Sequence, residues 1–150
     1  MPNLQGQVAI VTGGGGGFGE GIAKLFAELG AAVVVGDIRG SEAERVANAI
    51  TSAGGKAAAC AADVTKKADF DAMVAQATGG FGKLDIVVNN AGTTHKNQPM
   101  LDVDEETFDR VYAVNVKSLY QSVQSAVPVF LKQGQGCFVN ITSTAAIRPR

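Results

Sequence analysis

The chain has 150 residues, enough for one domain with its own apolar core. Hydrophobic residues make up 46% and charged residues 18%, and the net charge is −1, so no basic footprint for nucleic acid or for an anionic membrane surface is present. The two cysteines, Cys60 and Cys137, lack C-x-x-C spacing and a histidine cluster; they read as small buried hydrophobes in a reducing compartment, with no metal site expected. Met1–Gly6 carries no basic stretch before an apolar run, and no apolar stretch approaches the ~18 residues that span a bilayer. The expectation is a cytoplasmic protein with no nucleic-acid or membrane partner.

In chain order, Val8–Val11 is a short continuous apolar run, the pattern of a strand buried on both faces. Glycines follow, and then Ile22, Leu25, Phe26 and Leu29 recur at helical spacing up to Gly30, which closes the helix. Ala32–Val35 is a second buried strand ending at Gly36-Asp37. Ser41-Glu42-Ala43-Glu44 reads as a capping box opening a helix to about Ala53. Ala57–Ala61 is a third strand. Thr65 is the expected cap of a helix over 66–78, with Phe70, Met73, Val74 and Ala77 inward. Leu84–Val88 is a fourth strand, followed by the turn Asn89-Asn90-Ala91-Gly92. Asp102 or Asp104 caps a long helix with apolar positions Phe108, Val111, Val114, Leu119, Val123 and Val127, which Pro128 should kink or end. Cys137–Ile141 is a fifth strand. Five alternations of strand and helix predict an α/β fold, a doubly wound parallel sheet of the Rossmann-like type in one domain over 1–150. The polar loop Asn89–Pro99 lies at a strand's C-terminal end, where such sheets bind ligands.

Gly13, Gly14, Gly15, Gly16, Gly17, Phe18 and Gly19 stand between the first strand and its helix. A pyrophosphate at a helix N-terminus gains from free backbone N–H groups and the helix dipole, and glycines let the backbone come close. A flexible linker is the competing reading of a glycine run, but a linker does not fit between a buried strand and an amphipathic helix. A nucleoside-triphosphate loop is excluded, because no Gly-Lys-Ser/Thr closes the run. Asp37 lies 18 residues after Gly19, at the end of the second strand. A carboxylate there accepts hydrogen bonds from adenosine ribose hydroxyls and repels a 2′-phosphate, which favours NAD over NADP. Arg39 is the opposing feature, since an arginine nearby can hold a 2′-phosphate.

With these residues the sequence resembles the short-chain dehydrogenase/reductase family over about Leu4 to Arg150. The family's T-G-x-x-x-G-x-G is met by Thr12, Gly13, Gly17 and Gly19, with Phe18 in place of the usual Ile. Asn89-Asn90-Ala91-Gly92 matches the N-N-A-G of the shorter enzymes. The resemblance implies that Asp63 and Val64 lie beside the adenine and that Asn90, Ala91 and Gly92 belong to the cofactor site. It implies that Asn115 holds a water in a proton relay; a polar residue on a helix flank is the plainer alternative. Ser143 would hydrogen-bond the substrate oxygen, with a strand-end cap as its alternative and Thr142 as the neighbour that competes for the role.

The family's mechanism also uses a Tyr and a Lys in Y-x-x-x-K, expected shortly beyond Arg150. Tyr112 and Tyr120 are the only tyrosines, and the residues four further on are Val116 and Gln124. The expectation is therefore the N-terminal part of an oxidoreductase that moves hydride between NAD(H) and a secondary alcohol or ketone, truncated before its catalytic Tyr and Lys. The ending Arg148-Pro149-Arg150 resembles no natural domain boundary. A non-catalytic dinucleotide-binding fragment is the alternative. The family's habit of pairing long helices implies a homotetramer for the full-length protein. His95, Lys96 and Asn97 either line the substrate mouth or form a solvated loop.

Overall fold

The computed structural model describes residues 3–143; the ending Arg148–Arg150 lies outside them. Five strands form one sheet: β1 (Val8–Thr12), β2 (Ala32–Asp37), β3 (Lys56–Ala61), β4 (Ile86–Asn89) and β5 (Cys137–Asn140). Every pairing is parallel, and the order is β3-β2-β1-β4-β5. The chain therefore winds outward from β1 to one edge and then returns to wind toward the other. This leaves a crevice at the C-terminal ends of β1 and β4, the topological switch point where open sheets take ligands. The expected doubly wound sheet is what forms.

The helices α1 (Gly17–Glu28) and α2 (Gly40–Ser52) cover one face, and α3 (Lys67–Phe81) packs on the other. Alternation along each strand explains the continuous apolar runs. Ala9 and Val11 of β1 join Val33, Val35, Val46 and Ile50 beneath α1 and α2. Val8 and Ile10 join Val34, Phe70, Met73 and Phe130 on the opposite face. A strand with helices on both sides has no polar face to alternate with.

Several expectations change. No side chain caps α2: Arg39 occupies the N-cap and the helix begins at Gly40, so Ser41 is inside it and the capping box does not form. The Asp37 carboxylate instead accepts from the Arg39 amide at 3.0 Å and fixes the chain at this entry. Thr65 does not cap α3; Lys66 takes that position, while the Thr65 hydroxyl donates to Asp63 at 2.7 Å. The long helix is not uniform. It runs as α4 (Glu105–Tyr112), a π-helical segment (Ala113–Lys117) and α5 (Ser118–Gln133), after a 3-10 turn (Met100–Asp102). Asp104 is its cap, accepting from the Thr107 amide.

Of the apolar positions expected along this helix, Phe108 and Val123 are exposed. The buried positions of α5 are Ser118, Ser122, Ser125, Ala126 and Phe130. These small side chains let α5 approach α3, where the Ser125 hydroxyl donates to Asp71 at 2.8 Å. Pro128 does not end α5, which continues to Gln133. Pro128 has no amide to donate to the Gln124 carbonyl, and both residues are exposed. Cys137 is exposed rather than buried, since β5 is an edge strand of the described sheet, and Cys60 is half-buried. Among the described residues no helix is long and apolar enough to cross a membrane, and no group of three or more metal-ligating side chains gathers.

Candidate dinucleotide site

The cleft at the switch point has a volume of about 710 Å³. From the glycine turn it takes Gly13, Gly16 and Gly17. Asp37, Ile38 and Arg39 close the β2 end, and Asp63 and Val64 line the segment after β3. Asn90, Ala91 and Gly92 line the turn after β4, and Arg110 and Val114 face it from the long helix. Five segments far apart in sequence thus meet at one mouth.

The glycine turn is built for a close approach. Gly16 is the N-cap of α1, and no side chain caps the helix. The first amides of α1 have no intrahelical acceptor, so they are left for an outside group and carry the positive end of the helix dipole. Gly13 and Gly17 sit at φ +62° and +54°, in the left-handed region that glycine adopts without cost. Gly19 is needed for another reason. A Cβ there would press on the Gly13 carbonyl and lie 2.5 Å from Asn90 Nδ2. Gly14 and Gly15 are buried beneath the turn, whereas the Phe18 side chain is 83% exposed. Gly14, Gly15, Phe18 and Gly19 therefore shape the turn without lining the cleft.

Thr12 ties the turn to the end of β4. Its buried hydroxyl accepts from the amides of Asn90 and Ala91, both at 3.0 Å, and donates to the Val88 carbonyl at 3.3 Å. Asn90 answers from the other side, its Nδ2 donating to the carbonyls of Thr12 at 2.9 Å and Gly13 at 3.3 Å. The Asn90 side chain thus fastens β1 to β4 across the switch point. Asn89 performs the same task toward β5, donating to Asn140 Oδ1 at 2.9 Å.

Asp37 is only 7% exposed. Its Oδ2 accepts from the Gly15 amide and its Oδ1 from the Arg39 amide, both at 3.0 Å. Arg39 Nε stands 3.6 Å from Oδ1, and a carboxylate's roughly four acceptor positions leave room for further donors beyond the two amides. This fits a ribose diol, which presents two donors. Burial alone would raise the Asp63 carboxyl, but hydrogen bonds from the Thr65 hydroxyl and amide and the nearby Lys66 ammonium outweigh it and hold the group below its usual range. Asp63 is therefore anionic at neutral pH, and its backbone amide is held by Asp69 at 2.8 Å.

Asn115 lies in the π segment and does not line the cleft. Both ends of its amide are used on one residue: Oδ1 accepts from the Thr93 amide at 2.8 Å and Nδ2 donates to the Thr93 carbonyl at 2.7 Å. Arg110 holds the same segment, donating to the Thr93 hydroxyl at 3.0 Å and to the Thr94 carbonyl at 3.5 Å. Together they fasten the chain leaving Gly92 to the long helix. Ser143 is exposed and follows β5, at the same end of the sheet as Asn90–Gly92; it is not among the residues lining the cleft. His95, Lys96 and Asn97 also stand outside the lining.

Arg110 and Arg45 carry no local signal in the sequence. Arg110 reaches Thr93 across 17 residues, and Arg45 reaches Glu20 across 25. Of the contacts these two arginines make, the Glu42–Arg45 pair, three residues apart on α2, has helical spacing.

A family model described as short chain dehydrogenase matches residues 7–150. The chain is 53% identical over 147 residues to 4-formylbenzenesulfonate dehydrogenase TsaC1/TsaC2 of Comamonas testosteroni, covering 98% of this chain and 58% of that protein. It is 41% identical to 7alpha-hydroxysteroid dehydrogenase of Escherichia coli K12, covering 95% of this chain and 55% of the relative. A crystal structure of 3-ketoacyl-(acyl-carrier-protein) reductase from Brucella melitensis complexed with NADH superimposes with a TM-score of 0.92 at 49% identity, over 99% of this chain and 62% of the other. The chain thus spans somewhat more than half the length of the proteins it matches. The motif order, the sheet topology and the family match agree, and the chain belongs to the short chain dehydrogenase family.

Proposed function

We propose that this chain is the cofactor-binding part of an oxidoreductase that transfers hydride between NAD(H) and a secondary alcohol or ketone. The observation that carries the reading is the uncapped N-terminus of α1, opening beside a cleft that also holds the buried carboxylate of Asp37. A dinucleotide needs both: amides for its pyrophosphate and acceptors for its ribose. Gly13–Gly19 would hold the pyrophosphate, Asp37 the adenosine ribose, Asp63 and Val64 the adenine, and Asn90–Gly92 the nicotinamide half. When bound, the nicotinamide supplies the hydride donor or acceptor.

Asp37 favours NAD over NADP, because a 2′-phosphate would meet an anion tied to two backbone amides. NADH in the solved complex of the Brucella melitensis reductase supports the same choice. Ser143 would orient the substrate oxygen. Asn115 would hold the relay water through the Thr93 segment that it fixes. The 150 residues contain no Tyr-x-x-x-Lys, so this polypeptide should bind the dinucleotide without turnover, as a single dinucleotide-binding domain. Proton transfer by a positioned group contributes about 10²–10⁴-fold, and the Tyr that would supply it is not on these residues.

Phe108, Tyr112, Val116, Tyr120 and Val123 form an exposed apolar row along the long helix, with the Phe108 and Tyr112 rings stacked at 6.4 Å. Such a row supports self-association of the whole protein, in keeping with a homotetramer. The free thiols of Cys60 and Cys137 fit a reducing, cytoplasmic setting.

A titration of the chain with NADH and NADPH, read by nucleotide fluorescence, tests the binding half. NADH should bind more tightly; no binding of either nucleotide would reject the reading. The enzyme half is tested on the protein extended through the Tyr-x-x-x-Lys region. The first substrates to try are those named for its relatives: 4-formylbenzenesulfonate, a 7alpha-hydroxysteroid and a 3-ketoacyl thioester. Loss of turnover on replacing that Tyr by Phe is the expected result.

A further inference from the structure

The least expected side chain near the glycine turn is Arg45, which sits on α2 and does not line the cleft. Four of its five N–H groups are engaged. Nη2 donates to the Gly15 carbonyl at 3.0 Å and to Glu20 Oε2 at 2.8 Å. Nη1 donates to Glu20 Oε1 at 3.1 Å, and Nε donates to Glu42 Oε2 at 2.9 Å. Glu20 lies in the first turn of α1, so one planar cation joins α2, the start of α1 and the turn between β1 and α1. Lys24 also pairs with Glu20. Two cations thus face two carboxylates, Glu20 and Glu42, and the cluster is neutral. Arg45 offers a phosphate no uncompensated charge; what it offers is geometry.

The Gly15 backbone is held on both sides. Its amide donates to Asp37 Oδ2 at 3.0 Å, and its carbonyl accepts from Arg45. No peptide bond in the described chain is cis, and a trans peptide is planar with its C=O and N–H antiparallel. Drawing the Gly15 carbonyl toward α2 therefore turns the next amide, that of Gly16, away from α2. Gly16 lines the cleft and is the N-cap of α1. Glycine is the residue least able to hold such an orientation unaided, since its backbone has the most conformations to choose from. Five glycines in a row need an external brace.

We propose that Arg45 is a positioning residue for the phosphate-binding turn: held by Glu20 and Glu42, it fixes the Gly15 carbonyl so that the Gly16 amide and the first amides of α1 are preset for a pyrophosphate. The proposal rests on the dinucleotide reading of the cleft. Arginine suits the task because its fork reaches three groups at once in one plane. A lysine at this position keeps the charge and loses the fork.

The test compares Arg45→Met, Arg45→Lys and the unaltered chain for binding of NADH, ADP and adenosine. A turn-positioning role predicts about tenfold weaker NADH and ADP with Arg45→Met, an intermediate loss with Arg45→Lys, and adenosine binding within twofold, because adenosine has no phosphate to seat. Equal losses for adenosine and NADH would mean general destabilisation and would overturn the proposal, as would unchanged NADH and ADP affinity. Hydrogen exchange of the nucleotide-free chain separates this from failure of the dinucleotide reading. Peptides covering Gly13–Gly19 should exchange faster in Arg45→Met while those covering Lys56–Ala61 do not change. Unchanged exchange at the turn would sink the brace whatever the chain binds, and faster exchange in a chain that binds no nucleotide would leave the brace standing and reject the dinucleotide reading.

Discussion

Two glycines on α1, two residues apart, should respond to the same substitution with opposite signs. Gly21 is exposed and helical, and a Cβ there meets nothing within 4 Å. Gly21→Ala should raise stability by about 0.5–1 kcal/mol through helix propensity and a less flexible unfolded chain. Gly19→Ala gains the same propensity but drives a methyl against the Gly13 carbonyl and to within 2.5 Å of Asn90 Nδ2. The first contact is backbone and cannot rotate away. Overpacking of this kind costs about 1–3 kcal/mol. Displacing Asn90 also strains its bonds to the Thr12 and Gly13 carbonyls, each worth about 1 kcal/mol. The net expectation is a loss of about 1–4 kcal/mol. At about 2–4 °C per kcal/mol for a chain of this size, Gly19→Ala should melt several degrees lower and Gly21→Ala a few degrees higher. Calorimetry or circular dichroism melts read this directly. NADH titration adds a second readout, since Gly19→Ala also shifts the turn. Equal melting temperatures and equal NADH affinities for the two variants would refute the account of the turn as a close-packed cradle.

Asp37→Ala should weaken NADH and shift preference toward NADPH, and an unchanged ratio of the two affinities would remove Asp37 from the ribose site. Asn115→Ala should cost about 1–2 kcal/mol, because two exposed hydrogen bonds to Thr93 are lost, and should raise hydrogen exchange at residues 92–94; protection equal to that of the parent chain would show that the π segment does not hold this loop. Glu20 has a pH signature: hydrogen bonds from Arg45, and then Lys24, bring its carboxyl from the ordinary 4.5 down to about 2. A depressed folded value means stabilisation that is complete above about pH 4.5 and lost as pH falls toward 2. With partners about half exposed, solvent screening limits the effect to about 1 kcal/mol or less. Urea melts between pH 5 and pH 2 should show the steeper acid loss for the parent than for Glu20→Gln, and parallel profiles would remove Glu20 from the acid response.

Strand and helix order, the parallel sheet and the glycine turn were legible in the residues themselves. Val8–Val11 and Ala32–Val35 are apolar at every position, and only a strand covered on both faces tolerates that. Gly13–Gly19 between a strand and a helix marks a turn where the backbone must come close to something. Asp37 announced itself as a lone carboxylate at the end of an apolar strand. These are local signals, set by the periodicity and chemistry of neighbours in sequence.

Helix starts were legible only where the cap was local. Of the two candidate caps, Asp102 and Asp104, it is Asp104 that accepts from the Thr107 amide three residues on. Arg39 and Lys66 occupy N-caps without side-chain bonds; Asp37 instead accepts from the Arg39 amide, and Asp69, inside α3, from the Asp63 amide. The π segment was invisible as well, because inserting one residue into a helical turn leaves no mark in composition. Most of all, tertiary structure decided how the glycine turn is held. Sequence alone marks Gly13–Gly19 as a place for an anion. What fixes it are Thr12 and Asn90, 78 residues apart, and Arg45 on Gly15, 30 residues apart. A backbone with so few side chains has nothing of its own to set its shape, so its partners come from β4 and α2, and only folding brings them there.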